Sequence, residues 1–286
     1  MIGIVAASHY LQPIESDASL PSLEADLREL CREPFRRIDR FIQLALLGSA
    51  RCIAGQTLRP ECGIYLGSGL GPIGNNIVTQ QQLIRDREIP KPFNFINTLG
   101  SSAGFYVAKN LGLSGQNLFI SRRRASMEAV LNLALADLLR GVVEQALVGL
   151  VEEVALPLAV HRQRQDLPAT QVLAEGSHWL LLQSGQQTAR QLRLHRFDEL
   201  STLENFLFGS WMQGDCLCCA SGMERSAEQR LQRQFPGCIV SAWDCAFHDS
   251  LDAAWLTEFA IGDRPGQLFV VNGNSMRGWV LFQLGA

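Results

Sequence analysis

The chain has 286 residues, 47% of them hydrophobic and only 19% charged, which is enough apolar side chain to bury one large domain or two packed halves. That balance excludes a disordered or low-complexity chain, and a net charge of −3 leaves no basic footprint for nucleic acid or an anionic membrane. No run reaches the ~20 apolar residues of a membrane span, and eight cysteines scattered without a paired framework read as reduced thiols in a cytoplasmic protein.

Residues 1–7, Met-Ile-Gly-Ile-Val-Ala-Ala, carry no basic leader and read as a first strand, not a secretory signal. Between Pro21 and Cys31, Leu23, Leu27 and Leu30 fall at helical spacing. Asp39 is suited to cap a second helix through Phe41, Leu44, Leu47 and Ala50. A strand over 62–66 opens into Gly67-Ser68-Gly69-Leu70-Gly71-Pro72-Ile73-Gly74, which from Gly69 to Gly74 satisfies the dinucleotide pattern G-x-G-x-x-G. That pattern needs a second strand closed by an acidic residue. Here Gln80, Gln81 and Gln82 and then Pro90 and Pro92 follow, which favours a turn.

The middle of the chain is the most regular part. Residues 103–111 predict a helix ended by Gly112, 118–121 a buried strand, and 126–139 a helix stopped by Gly141, with Val130, Leu131, Ala134, Leu135 and Leu138 on one face. Residues 145–151 are a continuous apolar strand before Glu152 and Glu153. Strand, helix and strand with unbroken apolar runs predict a right-handed crossover in a sheet covered on both faces. The polar stretch 161–170 reads as an exposed loop or as the start of a second half.

Farther on, 178–182, 215–219 and 238–241 predict strands, and 203–212, 226–235 and 251–259 predict helices. Residues 267–271 and 278–284 close the chain as two strands joined through Asn272-Gly273-Asn274-Ser275, a tight-turn composition. Cys216, Cys218 and Cys219 sit on one of these strands and lack the second ligand pair of a zinc site, so they read as core and no metal is expected. The whole is a layered α/β architecture.

Residues 115–127, Gly-Gln-Asn-Leu-Phe-Ile-Ser-Arg-Arg-Arg-Ala-Ser-Met, run from a short strand into the first turn of a helix. They resemble the segment G-P-N-L-x-x-S-x-x-C-A-S-G of the β-ketoacyl synthases. Asp39 to Ala45 is similar to that family's D-R-x-x-x-L-A helix, residues 95–99 to the segment before its P-N-x-x-A, residues 146–153 to A-L-x-G-x-x-E-E, and residues 270–278 to its closing V-N-S-F-G-F-G-G. The resemblance implies a thiolase-like (ketosynthase) fold of layered αβαβα architecture. Its N-terminal half would span residues 1–160 and its shortened C-terminal half 161–286.

The resemblance also implies what is missing. The family's reactive cysteine falls on Arg124, whose guanidinium has no nucleophilic lone pair and faces the positive end of the helix dipole. The run Arg122 to Arg124 would otherwise read as solvated loop. The first histidine, of H-G-T-x-T, falls on Ala220, and the second is retained only as a candidate remnant, His248, with Phe247 in place of glycine and no lysine upstream. The family's P-N is Gly100-Ser101. Decarboxylative condensation needs a thiolate and histidines that stabilise the developing charge, so no activity of the chain alone is expected.

By resemblance, then, the chain is expected to act as a chain-length factor of a type II polyketide synthase, most similar to the aryl polyene systems. It would form a heterodimer with an active ketosynthase, help wall the acyl tunnel, meet an acyl carrier protein through that complex, and use no cofactor. Phe93, Phe95, Leu99, Phe105 and Tyr106 lie where the family places the dimer seam and tunnel. Arg124 would pair with a buried carboxylate, the favoured reading, or bind a carboxylate or phosphate ligand, or persist as a remnant. Two alternatives stay open: an acyltransferase or decarboxylase with a displaced nucleophile at Cys219 or Cys245, and a nucleotide-binding module resting on the Gly69 to Gly74 turn.

Overall fold

A computed structural model describes residues 2–185, 190–235, 239–241 and 245–285, with backbone alone over 239–241. Cys238, Trp243 and Asp244 fall outside the described residues. The N-terminal part supplies β1 (Ile2–Ile14), α1 (Glu24–Leu30), α2 (Arg40–Cys52), β2 (Gly63–Ser68), α3 (Ile73–Gln81), α4 (Pro92–Asn97), α5 (Ser101–Leu111), β3 (Asn117–Ser121), α6 (Ser126–Arg140), β4 (Gln145–Glu152), α7 (Leu158–Arg164) and β5 (Leu173–Ser184). The rest supplies β6 (Gln191–Phe197), α8 (Leu200–Ser210), β7 (Cys216–Cys219), α9 (Arg225–Gln234), β8 (Ile239–Ser241), α10 (Leu251–Ile261), β9 (Leu268–Asn274) and β10 (Gly278–Gly285).

The strands form one sheet in the order β3-β2-β4-β5-β1-β6-β10-β9-β7-β8. β2 runs parallel to β3 and β4, with Ile64 opposite Asn117 and Gly63 opposite Ala146, while β5 is antiparallel to β4 and β1. The second half repeats the mixture, β7 being parallel to β8 and β9, and β10 antiparallel to β9 and β6. Only Ile2 and Gly3 of β1 pair with β6, so the halves meet at a narrow joint.

Three cores show how the layers stack. One joins Phe41, Leu44, Leu47 and Val107 of α2 and α5 to Ile64, Leu147 and Trp179 on the outer face of the first five strands. Another joins Leu203, Leu207, Ala227 and Leu231 of α8 and α9 to Leu217, Phe269 and Leu281 on the outer face of the last five. Between them, Val130, Leu131 and Ala134 of α6 and Ala254 and Leu256 of α10 contact both inner faces, through Val148 and Leu180 on one side and Val270 and Phe282 on the other. Helix, sheet, helix, sheet, helix is the αβαβα layering. α6 and α10 have apolar residues toward two sheets because they are the middle layer.

Gly48 is where α2 touches the sheet most closely. A Cβ there would lie 2.2 Å from Ser177 Oγ and 2.4 Å from Trp179 Cδ1. Both partners are fully buried, and Ser177 donates to the Leu44 carbonyl (2.7 Å) and accepts from Trp179 Nε1 (2.9 Å). Gly48→Ala is therefore expected to destabilise the fold by ~3 kcal/mol through overpacking, lowering the melting temperature by roughly 5–10 °C in a thermal melt followed by circular dichroism.

The structure departs from the sequence reading in several places; α3 and α4 form where a turn was read after Gly74. β3 was expected to be buried; it is the outer edge of the sheet, with both ends exposed and the middle half-buried. β6 was not expected, because Gln191-Leu-Arg-Leu-His-Arg-Phe mixes charge into an alternating strand whose burial comes from β10 alongside it. The stretch 161–170 is entered by α7, not a loop alone. Finally, Asn272, Gly273 and Asn274 continue β9, so the hairpin turns at 275–277.

Candidate functional site

The elbow forms where β3 ends and α6 begins. Ser126 Oγ accepts the Arg122 N–H (2.9 Å) and lies 2.9 Å from the Ser68 carbonyl and 2.7 Å from the Arg123 carbonyl, to one of which it donates. Residues 123–125 make a single 3-10 turn. Arg124 then enters a polar pocket: its Nε is 3.7 Å from Asp249 Oδ1, its two terminal nitrogens donate to the carbonyls of Gln165 (3.0 Å) and Ser221 (3.5 Å), and its guanidinium lies 5.4 Å from the Phe247 ring centroid. Asn272 Nδ2 donates to the Arg124 carbonyl (3.1 Å). A Cβ on Gly222 would lie 2.8 Å from Asn272 Oδ1 and 3.2 Å from Arg124 Cβ. Segments 121–126, 165, 220–224, 247–250 and 272 therefore converge on a guanidinium, and Arg124 has the buried carboxylate that its charge requires.

Beneath Asp249 lies Glu152, which accepts from Ser68 Oγ (3.0 Å), Gly69 N (2.6 Å) and Ser250 Oγ (2.5 Å). Burial first, and then the Asp249 charge, push the Glu152 carboxyl above its ordinary range. The next residue, Glu153, accepts the Gly74 N–H (2.6 Å). Consecutive glutamates thus satisfy the glycine turn from inside the protein. The N–H groups of Gly69 and Gly74 are engaged by protein carboxylates, and a Cβ on Gly69 would lie 2.3 Å from Asp249. This turn is packing, which argues against the nucleotide-binding alternative.

Ala220 directly follows β7, buried, its N–H on the Val271 carbonyl (2.9 Å). His248 is buried against a second histidine that the sequence did not single out: its Nε2 lies 3.2 Å from His178 Nε2, with the rings stacked at 5.1 Å. Ser250 N donates to His248 Nδ1 (3.2 Å), which places the His248 proton on Nε2. His178 must then accept at Nε2 and carry its proton on Nδ1, 3.5 Å from Thr257 Oγ1, which donates to the carbonyl of Ala253 or Ala254. Both ring nitrogens of His248 are therefore committed within the protein. Cys219, one of the alternative nucleophiles, is fully buried, and burial pushes its thiol up to about 12, so it holds almost no thiolate near neutrality. Cys245 is half-buried. Among the described residues, no three His, Cys, Asp or Glu side chains are placed to hold a metal.

These buried groups set a pH dependence. Burial lowers His248 to about 3 and His161 to about 4, and holds His178 well below the ordinary 6.5. Each costs stability as pH falls below 6.5. Burial raises Asp39 to about 6 and Asp252 to about 7, and raises Glu152 as well. Their contribution is full below the unfolded carboxylate value and is lost as pH rises through the folded one. Above 6.5 the histidines are neutral in both states and only the carboxylates act. The melting temperature is therefore expected to fall, by on the order of 5 °C, between about pH 6.5 and about pH 8.5. Asp252→Asn with Glu152→Gln should flatten that decline in a fluorimetric pH series; an undiminished decline would contradict the assignment.

A second feature lies beside the edge strand β3. α3 passes through a π turn at 82–86 into α4 and α5, and this region exposes large apolar side chains: Ile89 is 94% exposed, Ile84 78%, Phe95 62% and Phe105 60%, with Phe93, Ile96 and Leu99 also open. Arg37 lies 4.7 Å above the Phe93 ring. Tyr106 is half-buried, edge-on to Phe35 at 5.3 Å. Of the residues assigned by resemblance to seam and tunnel, four are thus on the surface and Tyr106 packs on the core. Ile84, Ile89 and Ile96 were missed, although apolar residues without helical spacing among prolines and glutamines are a sign of burial by something outside the chain. β3 borders this face, with Phe119 packed where a Gly100 Cβ would be and its outer edge paired with no strand among the described residues.

Two mixed half-sheets, joined through β1 and β6, around a central helical layer, with an elbow at the end of a parallel strand, constitute the ketosynthase fold, and solved structures confirm it. The chain is similar to the ishigamide ketosynthase/chain length factor, with a TM-score of 0.74 at 17% identity over 99% of each chain. It is also similar to the AntDE:AntF complex of a type II polyketide synthase acyl-carrier protein and its ketosynthase (TM-score 0.67, 13% identity, 100% of this chain and 99% of that one). A third similar structure is the ketosynthase ApeO with its chain length factor ApeC from Xenorhabdus doucetiae (0.54, 13%, 99% and 100%). At these identities the likeness establishes the fold. No protein-family profile matches the sequence, and no curated protein does either.

Proposed function

We propose that this chain is the non-catalytic chain-length-factor subunit of a type II polyketide synthase, of the aryl polyene kind, paired with an active β-ketoacyl synthase. The observation that carries it is the pairing of an apolar surface with a disarmed elbow. Ile84, Ile89, Phe95 and Phe105 stand exposed near β3, whose outer edge pairs with no strand among the described residues, while the elbow holds Arg124 with its Nε 3.7 Å from Asp249 Oδ1. Such a patch calls for a partner, and an edge strand beside it can extend the sheet into that partner's.

In this role the subunit wall, not a reacting group, does the work. Each substrate methylene accommodated is worth ~0.8 kcal/mol, and one that meets a side chain gains nothing, so wall residues set chain length. Phe93, Phe95, Leu99, Phe105 and Tyr106 are the residues we assign to seam and tunnel, and acyl carrier protein would be met through the complex. The test is co-expression with a cysteine-bearing ketosynthase from the same source, followed by size-exclusion chromatography with mass determination. A stable one-to-one complex is expected. A chain that stays apart from the ketosynthase, as monomer or homodimer, would overturn the proposal.

A further inference from the structure

Above Arg124 the elbow opens into a cavity of about 410 Å³, rimmed by Arg122, Arg123, Arg124 and Arg277, with Asp166 on the same rim and Gly222 on the wall. The arginines come from two distant parts of the chain, the elbow and the turn between β9 and β10. Arg124 is committed below, to Asp249 and two carbonyls, and Arg123 donates to the Arg164 carbonyl (3.2 Å). Arg122 and Arg277 have exposed side chains, and among the described residues no carboxylate lies within ion-pair distance of either. Four guanidinium charges thus face two carboxylates, Asp166 and Asp249, leaving an excess of about two positive charges around one concavity. The N-terminus of the 15-residue α6 adds its dipole in the same sense, since Ala125 before it lines the cavity.

We propose that this cleft binds a phosphomonoester dianion. The chemistry selects that class. A thiol, a thioester or an acyl chain is neutral and gains nothing from guanidinium groups, and a single carboxylate or a phosphodiester neutralises only half of the excess. A phosphomonoester brings nearly two charges at neutral pH and three strong acceptor oxygens, which match forked donors from Arg122 and Arg277. Arg124 sits as the floor of the site, its charge balanced from below. The disarmed elbow is then a small-molecule site whose occupancy is separate from partner binding.

The experiment uses the full chain in low-salt buffer without phosphate, titrated calorimetrically with methyl phosphate and, separately, with dimethyl phosphate. Saturable binding of the monoester is expected, with the diester weaker by at least about tenfold and the monoester affinity falling below its second pKa near 6. Arg122→Gln and Arg277→Gln are surface changes that should leave the melting temperature as it is; together they should cut monoester affinity by at least about tenfold. Absence of saturable binding, equal affinity for the diester, or binding indifferent to the two substitutions would each overturn the proposal. None of these readouts depends on the heterodimer, so either proposal can fail while the other stands.

Discussion

Phe95→Asp combined with Phe105→Asp is expected to abolish co-purification with the ketosynthase while leaving the isolated chain as stable as before. Both side chains are more than half exposed, at 62% and 60%, so the fold loses little when they change. Buried at a seam, each would act as an aromatic anchor worth ~2–4 kcal/mol on truncation, and a carboxylate in its place must also be desolvated. Two such changes weaken association by roughly a thousandfold or more. Size-exclusion chromatography with mass determination reads the complex, and a thermal melt reads the chain. A complex that survives both substitutions would place the seam elsewhere; a chain that unfolds would mean these aromatics support the monomer.

How much of this could be read from the residues divides by distance along the chain. Asp39 was legible as a cap because its target is three residues away: its carboxylate accepts the Ile42 N–H at 3.0 Å. The elbow was legible too, as an apolar strand running into a helix at one locus. His178 was not, since it meets His248 across 70 positions and nothing in the local sequence His178-Trp179-Leu180 sets it apart from any buried strand. Glu152 and Glu153 were noticed as a pair closing β4, but their work is done on Gly69 and Gly74, about eighty residues earlier. Arg277 was passed over for the same reason, because its turn joins the elbow only after the second half folds over α6. Composition reports the cost of burying a charge. It does not report the partner that meets the cost.

The largest expected effect on stability comes from one such partner. In the Asp39-Arg40 pair that begins α2, Asp39 caps the helix and Arg40 reaches across to Glu175 on β5. Its Nε lies 3.0 and 3.1 Å from the two carboxylate oxygens, a terminal nitrogen bonds Oε2 as well, and the other terminal nitrogen donates to the Pro21 carbonyl (2.7 Å). The Glu175 side chain is fully buried and that of Arg40 is 14% exposed. Glu175→Ala leaves a guanidinium with a single carbonyl in a space water scarcely reaches, and Arg40→Ala leaves a buried carboxylate without its cation. Each is expected to cost ~3–5 kcal/mol, because the uncompensated charge, not the lost attraction, dominates. The double change Arg40→Met with Glu175→Leu removes both charges and keeps the volume, so it should recover most of that loss. Urea unfolding of the four proteins checks this: singles far less stable than the double is the expected order, whereas additive losses would show that the pair contributes by its attraction and not by mutual neutralisation.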